Sequence, residues 1–447
     1  MSTFTTGTAP GALPGLGHMW PLLRDPTAFL ASLPAHGDLV EIRLGRERAY
    51  VPCHPELLRH VLTDDRTFDK GGAYYDRARA MAGNGVATCP HRDHRRQRRL
   101  MQPAFHHDQL KAYAAVMEHE TAALAASWGD SEVVDAYPVL YALALRTVTR
   151  TLFAAHVDEA VVEEIRQSFE TAFSGFFRQM FMPPAVRRLP LPSNVRHRRA
   201  LRHLHGTVEG IVTAYRRDGA GRGDLLSVLF SSQDTEGGDG LTDAEIQDQV
   251  VTVLAAGTET VAATLTWALQ LLSGHPEQQR RLQAEADAVL GGRPARWDDI
   301  ARLPFAARVV NETVRLHPPG WLFTRVTSAE TELAGRRLPP DTTVVIAPTT
   351  VHRRAGAYAR PLEFDPDRWL ADRAAALPRG AFLGFGAGAR KCIGDDFGVA
   401  ECVLVLATIA AGRTVHSVPG ADTRPVPLAA FHRPRRLPLR LDRRGPR

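Results

Sequence analysis

A glycine-rich, cationic stretch with one cysteine, GFGAGARKCIG at Gly384–Gly394, contains the residues best suited to chemistry. Its glycines permit positive φ angles and let the backbone approach a flat ligand. Arg390 and Lys391 favour thiolate over thiol at Cys392, as do the free N–H groups of the helix predicted to follow it. Such a cysteine could be a buried structural residue, a nucleophile or a metal ligand. A nucleophile needs a nearby base, and no histidine lies close to Cys392 in sequence.

An acid and an alcohol, Glu259 and Thr260, interrupt an apolar helical segment in AGTET at 256–260. Packing alone does not explain them, since burying polar groups costs free energy. One interpretation gives Thr260 a hydrogen bond back to the Ala256 carbonyl, which only bends the helix. The other interpretation gives both side chains a functional role, and it depends on the family resemblance described below.

The chain has 55 Lys and Arg against 49 Asp and Glu, and its basic residues form runs at 91–100 (HRDHRRQRRL) and 432–447. Charge alone is compatible with nucleic-acid binding. Neither run has interleaved aromatic residues, which favours a solvated face or a docking surface for an acidic protein and predicts no nucleic-acid partner. Four cysteines without a CxxC pair indicate a reducing compartment, and the sequence shows neither a signal peptide nor 18 uninterrupted apolar residues. These features predict a cytoplasmic protein without a membrane segment.

Two predicted helices have to position these residues. The longer one begins after Thr242, whose spacing to Glu245 predicts a capping box, and ends before Pro276. About 30 residues at ~1.5 Å each give a helix of ~45 Å, and its apolar composition on all sides predicts that it is buried. The second helix, at 305–316, places two oppositely charged residues, Glu312 and Arg315, on one face. Such pairs are common on solvated helices.

The remaining periodicity predicts a mainly helical fold. Short alternating apolar runs at 39–44 and 48–53 predict strands, and a helix opened by Pro55 follows them. Helical periodicity dominates from about residue 108 to 290. No internal repeat, low-complexity linker or break in composition divides the chain. The sequence therefore predicts a single domain over 1–447, mainly α with small β-sheets.

The cysteine loop resembles the haem-binding signature of the cytochrome P450 family. Phe385-x-x-Gly388-x-Arg390-x-Cys392-x-Gly394 matches that signature at every position. The resemblance implies the cytochrome P450 fold, with the long central helix over a haem b cofactor. It implies that Cys392 is the axial thiolate ligand of the haem iron, while Phe385 packs beside the sulfur and Arg390 pairs with a propionate.

The resemblance also assigns roles outside this loop. It implies that Thr260 donates a hydrogen bond to dioxygen and that Glu259 relays protons from solvent. It implies a structural triad of Glu312, Arg315 and Arg368 that holds the cysteine loop in place. Further contacts to the haem propionates are implied for four basic residues: His94, Arg98, Arg325 and His352.

The implied activity is that of a monooxygenase, which inserts one oxygen atom of O2 into a C–H bond. No flavin or ferredoxin sequence is appended, so a separate ferredoxin and ferredoxin reductase are the expected electron donors, with NAD(P)H as their source. The basic run at 91–100 is the expected docking face, and a monomer is the expected state. A peroxygenase or isomerase on the same fold is one alternative, and a haem-based gas sensor or electron carrier is another.

Residues expected by resemblance to contact the substrate include no acid or base, which favours a largely hydrocarbon molecule. They are Tyr74, Tyr75, Met81, Phe173, Phe176, Phe177, Phe181, Val253, Leu254, Trp321, Leu322, Phe323 and Phe431. The stretches HRRQRRLMQPAF, RLPLPSN and LEFDPDRWL are similar to those of actinobacterial members that oxidise terpenes. A cyclic sesquiterpene of terpenoid antibiotic biosynthesis is therefore the predicted substrate. A fatty acid, a steroid or a macrolide is the alternative.

Overall fold

The computed structural model of the protein describes residues 4–153, 158–182, 184–218, 224–232 and 240–445. Helices make up most of this part of the chain, as the apolar periodicity predicts. In chain order they are α1 (Met19–Arg24), α2 (Pro26–Ser32), α3 (Pro55–Thr63), α4 (Gly72–Ala82), α5 (His91–Met101), α6 (His107–Ser127), α7 (Ala136–Phe153), α8 (Glu159–Phe181), α9 (Pro184–Arg188), α10 (Pro192–Asp218), α11 (Leu225–Ser231), α12 (Asp243–Gly274), α13 (Pro276–Leu290), α14 (Pro304–Leu316), α15 (Thr349–His352), α16 (Ala371–Ala375) and α17 (Asp395–Gly412).

Small sheets lie beside these helices. The strands are β1 (Thr6–Thr8), β2 (Leu39–Leu44), β3 (Glu47–Pro52), β4 (Phe68–Asp69), β5 (Glu132–Asp135), β6 (Phe323–Thr327), β7 (Thr331–Leu333), β8 (Arg336–Leu338), β9 (Thr343–Ile346), β10 (Arg413–Ser417) and β11 (Pro438–Arg443). They form a six-stranded sheet in the order β1-β2-β3-β9-β6-β4, a three-stranded sheet β10-β11-β5 and the pair β7-β8. The two predicted strands at 39–44 and 48–53 are β2 and β3, and they pair antiparallel, from Leu39 opposite Pro52 to Leu44 opposite Glu47.

The long central helix is α12, and its start is the predicted capping box. The Thr242 hydroxyl accepts a hydrogen bond from the Glu245 N–H, and the Glu245 carboxylate accepts one from the Thr242 N–H. Within the described chain α12 is the one helix long and apolar enough to cross a membrane, yet 78% of its most apolar window is buried inside the protein. It packs most closely along α7 and also against α10, α14 and α17. It is therefore a core helix.

A continuous apolar core joins the helices and extends from Ala9 to Leu441. A smaller apolar cluster lies between α3 and the six-stranded sheet, and it includes Leu383 immediately before the cysteine loop. The fold class predicted from the sequence, mainly α with small β-sheets, is confirmed. The loop that contains Cys392 thus begins at the edge of the smaller cluster and ends at the start of α17.

Candidate active site

The cysteine loop and α12 share an internal slot, which consists of two adjoining cavities of ≈ 200 and ≈ 340 Å³. Cys392 from the loop and Thr260 from α12 line both of them. The residues common to the two cavities are Lys70, Ala87, Thr260, Val261, Arg390, Cys392, Gly394 and Gly398. The slot thus brings together the two motifs that carry chemistry in the sequence.

The backbone of the cysteine loop requires two of its glycines. Gly386 and Gly388 have φ angles of +74° and +69°, which L side chains rarely adopt. A Cβ atom at Gly388 would also lie 2.5 Å from the Leu62 carbonyl oxygen in α3. The Cys392 N–H donates a 2.8 Å hydrogen bond to the Phe385 carbonyl. Phe385 also lines the larger cavity beside Cys392. The glycines therefore let the loop pack on α3 and present Cys392 to the slot.

The Cys392 side chain is exposed to the slot, but the surrounding protein raises its pKa. Burial is the largest cause, and the Gly394 N–H, Arg98 and Lys391 lower the pKa only in part. The sequence correctly predicts the effect of Lys391 but not that of Arg390, whose guanidinium binds other residues, and the net shift is opposite to the prediction. A metal ion would reverse this balance, because a coordinating thiol is deprotonated outright.

Besides Lys391, the neighbour of Cys392, five basic side chains line the slot. They are the four predicted residues His94, Arg98, Arg325 and Arg390, together with Lys70, which the sequence analysis did not identify. Lys70 is buried, and its ammonium donates a 2.8 Å hydrogen bond to the Ala87 carbonyl. Burial lowers the pKa of Lys70 well below its ordinary value, and Arg325 and Arg390 lower it further. One sequence signal could have identified it, since Lys70 and Lys391 are two of only three lysines among 55 basic residues.

Arg390 and Arg325 differ in their protein partners. Arg390 donates hydrogen bonds to Asp65 (2.9 Å), Asp69 (3.2 Å) and the Cys89 carbonyl (2.8 Å). Arg325 donates to neutral groups only, the Tyr75 hydroxyl at 3.0 Å and the carbonyl of its neighbour Thr324. Asp65 and Asp69 balance the charge of Arg390, whereas the charges of Lys70 and Arg325 are not balanced by an acid that they bind in the described part of the chain. A ligand with two carboxylates, such as haem, fits this need, while the pairing of Arg390 itself with a propionate stays a prediction.

His94 and Arg98 project from α5 into the same slot. Burial lowers the pKa of His94 to about 3, and Arg390, Lys70 and Arg98 add to the shift. His94 is therefore neutral near pH 7 and can donate one hydrogen bond. Arg98 donates a hydrogen bond to the Lys391 carbonyl and so ties α5 to the cysteine loop. Their placement fits the predicted propionate contacts.

His352 does not reach the slot, so the predicted propionate contact is wrong. Its ring is fully buried, with Nδ1 at 3.0 Å from the Arg315 carbonyl and Nε2 accepting a 2.9 Å hydrogen bond from the Leu383 N–H. Burial lowers the pKa of His352 to about 3. Both ring nitrogens are thus occupied by backbone groups. The residue is a brace between α14 and the start of the cysteine loop.

The predicted triad is present and completely buried. Arg315 donates two 2.8 Å hydrogen bonds to the Glu312 carboxylate, and Arg368 donates one of 3.2 Å. The Trp369 indole N–H donates to the same carboxylate at 3.0 Å. The Trp369 ring in turn packs edge-on against Phe382, 4.5 Å between centroids. The triad therefore reaches the cysteine loop through Trp369 and Phe382, which agrees with the architectural role implied by resemblance.

Thr260 combines the two interpretations that the sequence left open. Its hydroxyl donates a 2.6 Å hydrogen bond to the Ala256 carbonyl, and the residue also lines both cavities of the slot. Ala256 and Gly257 line the slot beside it, and a Cβ atom at Gly257 would lie 2.8 Å from Val148 in α7. The hydroxyl would have to rotate away from Ala256 to donate a hydrogen bond into the slot. Its contact with dioxygen stays a prediction.

Glu259 lines a different cavity, of ≈ 280 Å³, together with Tyr137, Arg433 and the surface residues Arg166 and Glu170. The Tyr137 hydroxyl donates a 2.7 Å hydrogen bond to the Glu259 carboxylate. Burial raises the pKa of Glu259 to about 7, whereas the bond from Tyr137 and the charge of Arg433 lower it. A carboxyl with a pKa near 7 can both accept and release a proton at neutral pH. Glu259 and Thr260 are adjacent in α12, so this cavity and the slot meet at one turn of the helix.

The Tyr137→Phe variant tests whether Glu259 supplies protons. Coupled turnover is expected to fall above about pH 7, because Glu259 ionises there and loses its proton. Tyr137 stabilises the carboxylate form, so its removal raises the pKa of Glu259 and moves this alkaline limb upward by about one pH unit. The pH profile of product formation measures the shift. Tyr141→Phe is the matched control, since the Tyr141 hydroxyl has no hydrogen-bond partner, and an equal shift in both variants would contradict the assignment.

The residues predicted to contact substrate do not line a single cavity. Tyr75, Val253 and Phe323 line the slot. Leu254 is fully buried and lines neither of its cavities. Tyr74 packs within an aromatic cluster. Phe173 and Phe431 line the cavity of Glu259, and Met81 and Phe176 line a cavity between α4 and α10. A small apolar cavity near α1 is lined by Phe177, Phe181, Trp321 and Leu322. Sequence reasoning missed apolar slot residues such as Val86, Val148 and Leu225.

Comparison with known proteins decides the family. The sequence matches the family model described as Cytochrome P450 over residues 13–429. The chain is a cytochrome P450. Among solved structures, the heme domain of cytochrome P450DA has the same fold, with a TM-score of 0.89, 24% identity and 99% of both chains covered.

Curated relatives include terpenoid-oxidising enzymes of Streptomyces. This cytochrome P450 is 56% identical over 99% of both chains to pentalenene oxygenase of Streptomyces avermitilis. It is 45% identical to cyclooctat-9-en-7-ol 5-monooxygenase of Streptomyces melanosporofaciens, over 93% of this chain and 91% of the relative. It is 46% identical to cyclooctatin synthase of the same organism, over 94% and 92%. This cytochrome P450 is therefore an oxidoreductase of the monooxygenase type.

Haem is the cofactor of this cytochrome P450, and the slot has the residues to hold it. Cys392 is accessible and could ligate the iron, and Lys70 and Arg325 form no ion pair with an acid in the described part of the chain. When bound, haem supplies the chemistry of single electrons and O2, which protein side chains cannot perform. The protein contributes Cys392, the basic side chains and the small residues of α12 that line the slot.

Proposed function

We propose that this cytochrome P450 hydroxylates or further oxidises a cyclic terpene, most specifically a sesquiterpene such as pentalenene, in terpenoid antibiotic biosynthesis. The observation that carries the proposal is the 56% identity to pentalenene oxygenase over 99% of both chains. The apolar slot residues Tyr75, Val253 and Phe323 support it, because they offer a hydrocarbon its preferred surroundings and no charged partner. We treat 1–447 as one domain.

In this proposal the residues of the slot have separate tasks. Cys392 is the axial ligand, and Phe385 packs beside its sulfur. The propionates are held by five basic residues: Lys70, His94, Arg98, Arg325 and Arg390. Thr260 positions a proton at dioxygen, and Glu259 replenishes it from the cavity beside Tyr137. These assignments rest on the placement of the side chains around one slot and on the family signature.

In this proposal the electrons come from a separate ferredoxin and its reductase, with NAD(P)H as the donor. The protein itself is a cytoplasmic monomer. The docking surface we propose is the outer face of α5 with Lys391. Arg92 on α5 is 85% exposed, and Lys391 lies beside the proposed iron ligand. An acidic ferredoxin would be attracted to this face, and the distance for electron transfer to the haem would be short.

The Thr260→Ala variant is expected to consume NADPH at close to the normal rate while diverting most of it to hydrogen peroxide. The change removes the hydroxyl that would donate a proton to dioxygen, but it leaves Cys392 and the basic residues in place. Product, peroxide and NADPH are measured in the same reaction. Thr266→Ala, further along α12, is the control, because Thr266 also donates to a helix carbonyl but does not line the slot. Normal coupling in Thr260→Ala would refute the role of this hydroxyl.

Optical titration of the purified haem protein tests the substrate. A panel of cyclic sesquiterpenes, steroids, macrolides and fatty acids is added, and displacement of water from the iron is detected as a blue shift of the haem band. A shift with a sesquiterpene at micromolar concentration, followed by product formation, is the expected result. A shift with another class alone would retain the monooxygenase and refute the terpene assignment.

A further inference from the structure

A separate cavity of ≈ 500 Å³ lies between α4, α8, α9 and α10, and we call it the α8–α10 cavity. Its lining is Arg77, Ala80, Met81, Phe176, Gln179, Arg187, Arg188, His197, Arg198 and Leu201. Four of these ten residues are arginines and one is a histidine, and none is an acid. A cavity with such walls attracts anions.

The charge of this cavity lacks acidic partners within the lining. The Arg77 Nε atom and the His197 Nδ1 atom are buried and have no hydrogen-bond partner. Burial lowers the pKa of Arg77, and the neighbouring Arg187 lowers it further. The pKa of His197 is lowered by burial and then by cations that include Arg178 and Arg198. An anion in the cavity would accept a hydrogen bond from Arg77 Nε, and from His197 in the tautomer that is protonated at Nδ1, and it would reduce the repulsion among the cations.

The protein holds the cations in position. Asn194 is buried, and its amide donates to the carbonyls of Val186 (3.0 Å) and Leu189 (3.2 Å). The same amide accepts a 3.2 Å hydrogen bond from Gln179. These bonds fix the turn that carries the arginines of α9. Arg187 also donates to the Gln179 carbonyl at 3.3 Å, and the Arg187 carbonyl accepts from Arg198 at 3.2 Å. The basic residues are therefore part of a braced structure.

The rest of the lining is apolar. Met81 and Phe176 are buried side chains, and Leu201 lies beside them. We propose that the α8–α10 cavity binds an organic phosphate that carries an apolar tail. A phosphate dianion matches several guanidinium groups better than a carboxylate does, and the tail would lie on Met81, Phe176 and Leu201.

Binding in this cavity would affect aromatic residues that the sequence predicts to contact the substrate. The Phe176 ring contacts Tyr74 and Phe177, each at 5.2 Å between centroids, and Phe177 contacts Trp321 at 5.3 Å. The tail of the ligand would contact Phe176 from the α8–α10 cavity. A tailed phosphate thus regulates how this aromatic cluster packs.

Isothermal titration of the haem-loaded protein with dodecyl phosphate, below its micelle concentration, tests the proposal. Dodecyl phosphate is expected to bind at least about tenfold more tightly than dodecanol or inorganic phosphate, because only it uses both parts of the cavity. Arg188→Gln and the double variant Arg77→Gln/Arg188→Gln are expected to weaken binding by about tenfold or more. Arg199→Gln is the matched control, since Arg199 is exposed on α10 and does not line the cavity.

Two results would overturn the proposal. One is equal binding of dodecyl phosphate by the wild type and both cavity variants. The other is flotation of the protein with phosphatidylglycerol vesicles without binding of monomeric dodecyl phosphate, which would assign these cations to a membrane surface. Binding of the monomer with loss in the cavity variants supports the site, and vesicle binding lost in the same variants would identify a lipid headgroup as its source. The calorimetric readout does not depend on terpene oxidation, so it stands apart from the proposed function.

Discussion

Replacing Cys392 by alanine is expected to abolish the thiolate-type spectrum of the reduced carbonyl complex and to reduce product formation below detection. Cys392 is the cysteine that faces both cavities of the slot, and no other side chain of the loop can supply a thiolate. The fold is expected to survive, because the thiol is exposed to the slot and carries no part of the core. The difference spectrum with carbon monoxide and the circular dichroism spectrum measure the two effects.

Cys402 provides the matched control for this experiment. It also lines the larger cavity, but it is buried in α17, where burial raises its pKa well above the ordinary value. Cys402→Ala is expected to keep the thiolate-type spectrum and to lose only a little stability. A thiolate-type spectrum that persists in Cys392→Ala, or disappears in Cys402→Ala, would show that the ligand is assigned to the wrong sulfur.

Replacing Glu312 by glutamine is expected to lower the free energy of unfolding by about 3–5 kcal/mol and to speed the loss of haem. The substitution keeps the size of the side chain but removes the buried charge that balances Arg315 and Arg368. The bond from Trp369 is also weakened, and with it the packing of Phe382 before the cysteine loop. Denaturant unfolding and the rate of haem transfer to an apoglobin measure the two effects.

A second pair with the same spacing serves as the control. Glu163 and Arg166 on α8 also form a Glu-x-x-Arg ion pair, with an N–O distance of 2.6 Å, but their side chains are 48% and 34% exposed. Glu163→Gln is expected to cost less than about 1 kcal/mol and to leave haem retention unchanged. Equal losses in the two variants would contradict a special role of the buried triad.

Local signals in the sequence determined several elements and the proposed metal ligand. The capping box of Thr242 and Glu245, the strands β2 and β3, and the start of α3 at Pro55 depend on neighbouring residues, and all three are confirmed. The spacing in GFGAGARKCIG predicted the haem-binding loop for the same reason. Its glycines and its cysteine act within one short stretch of backbone.

Contacts between distant segments decided the rest of the site. The sequence could not distinguish the exposed pair Glu163 and Arg166 from the buried pair Glu312 and Arg315, because their spacing is identical and burial depends on what packs over the helix. The sequence did not identify Lys70 as a site residue, because its spatial neighbours Arg325 and Arg390 lie more than 250 positions away in the chain.

The charge states and orientations of the side chains also depend on contacts between distant segments. Burial, which no local pattern reveals, outweighs the cations beside Cys392 and raises its pKa. The sequence placed Glu259 and Thr260 side by side, but only the packing of α7 gave Glu259 its own cavity and its bond from Tyr137. His352 was predicted to contact a propionate, but its ring nitrogens bind the backbone of α14 and of Leu383 before the cysteine loop. The sequence alone thus determined which residues can do the chemistry, while the tertiary structure decided their charge states and partners, because electrostatic energies depend on neighbours from the whole chain.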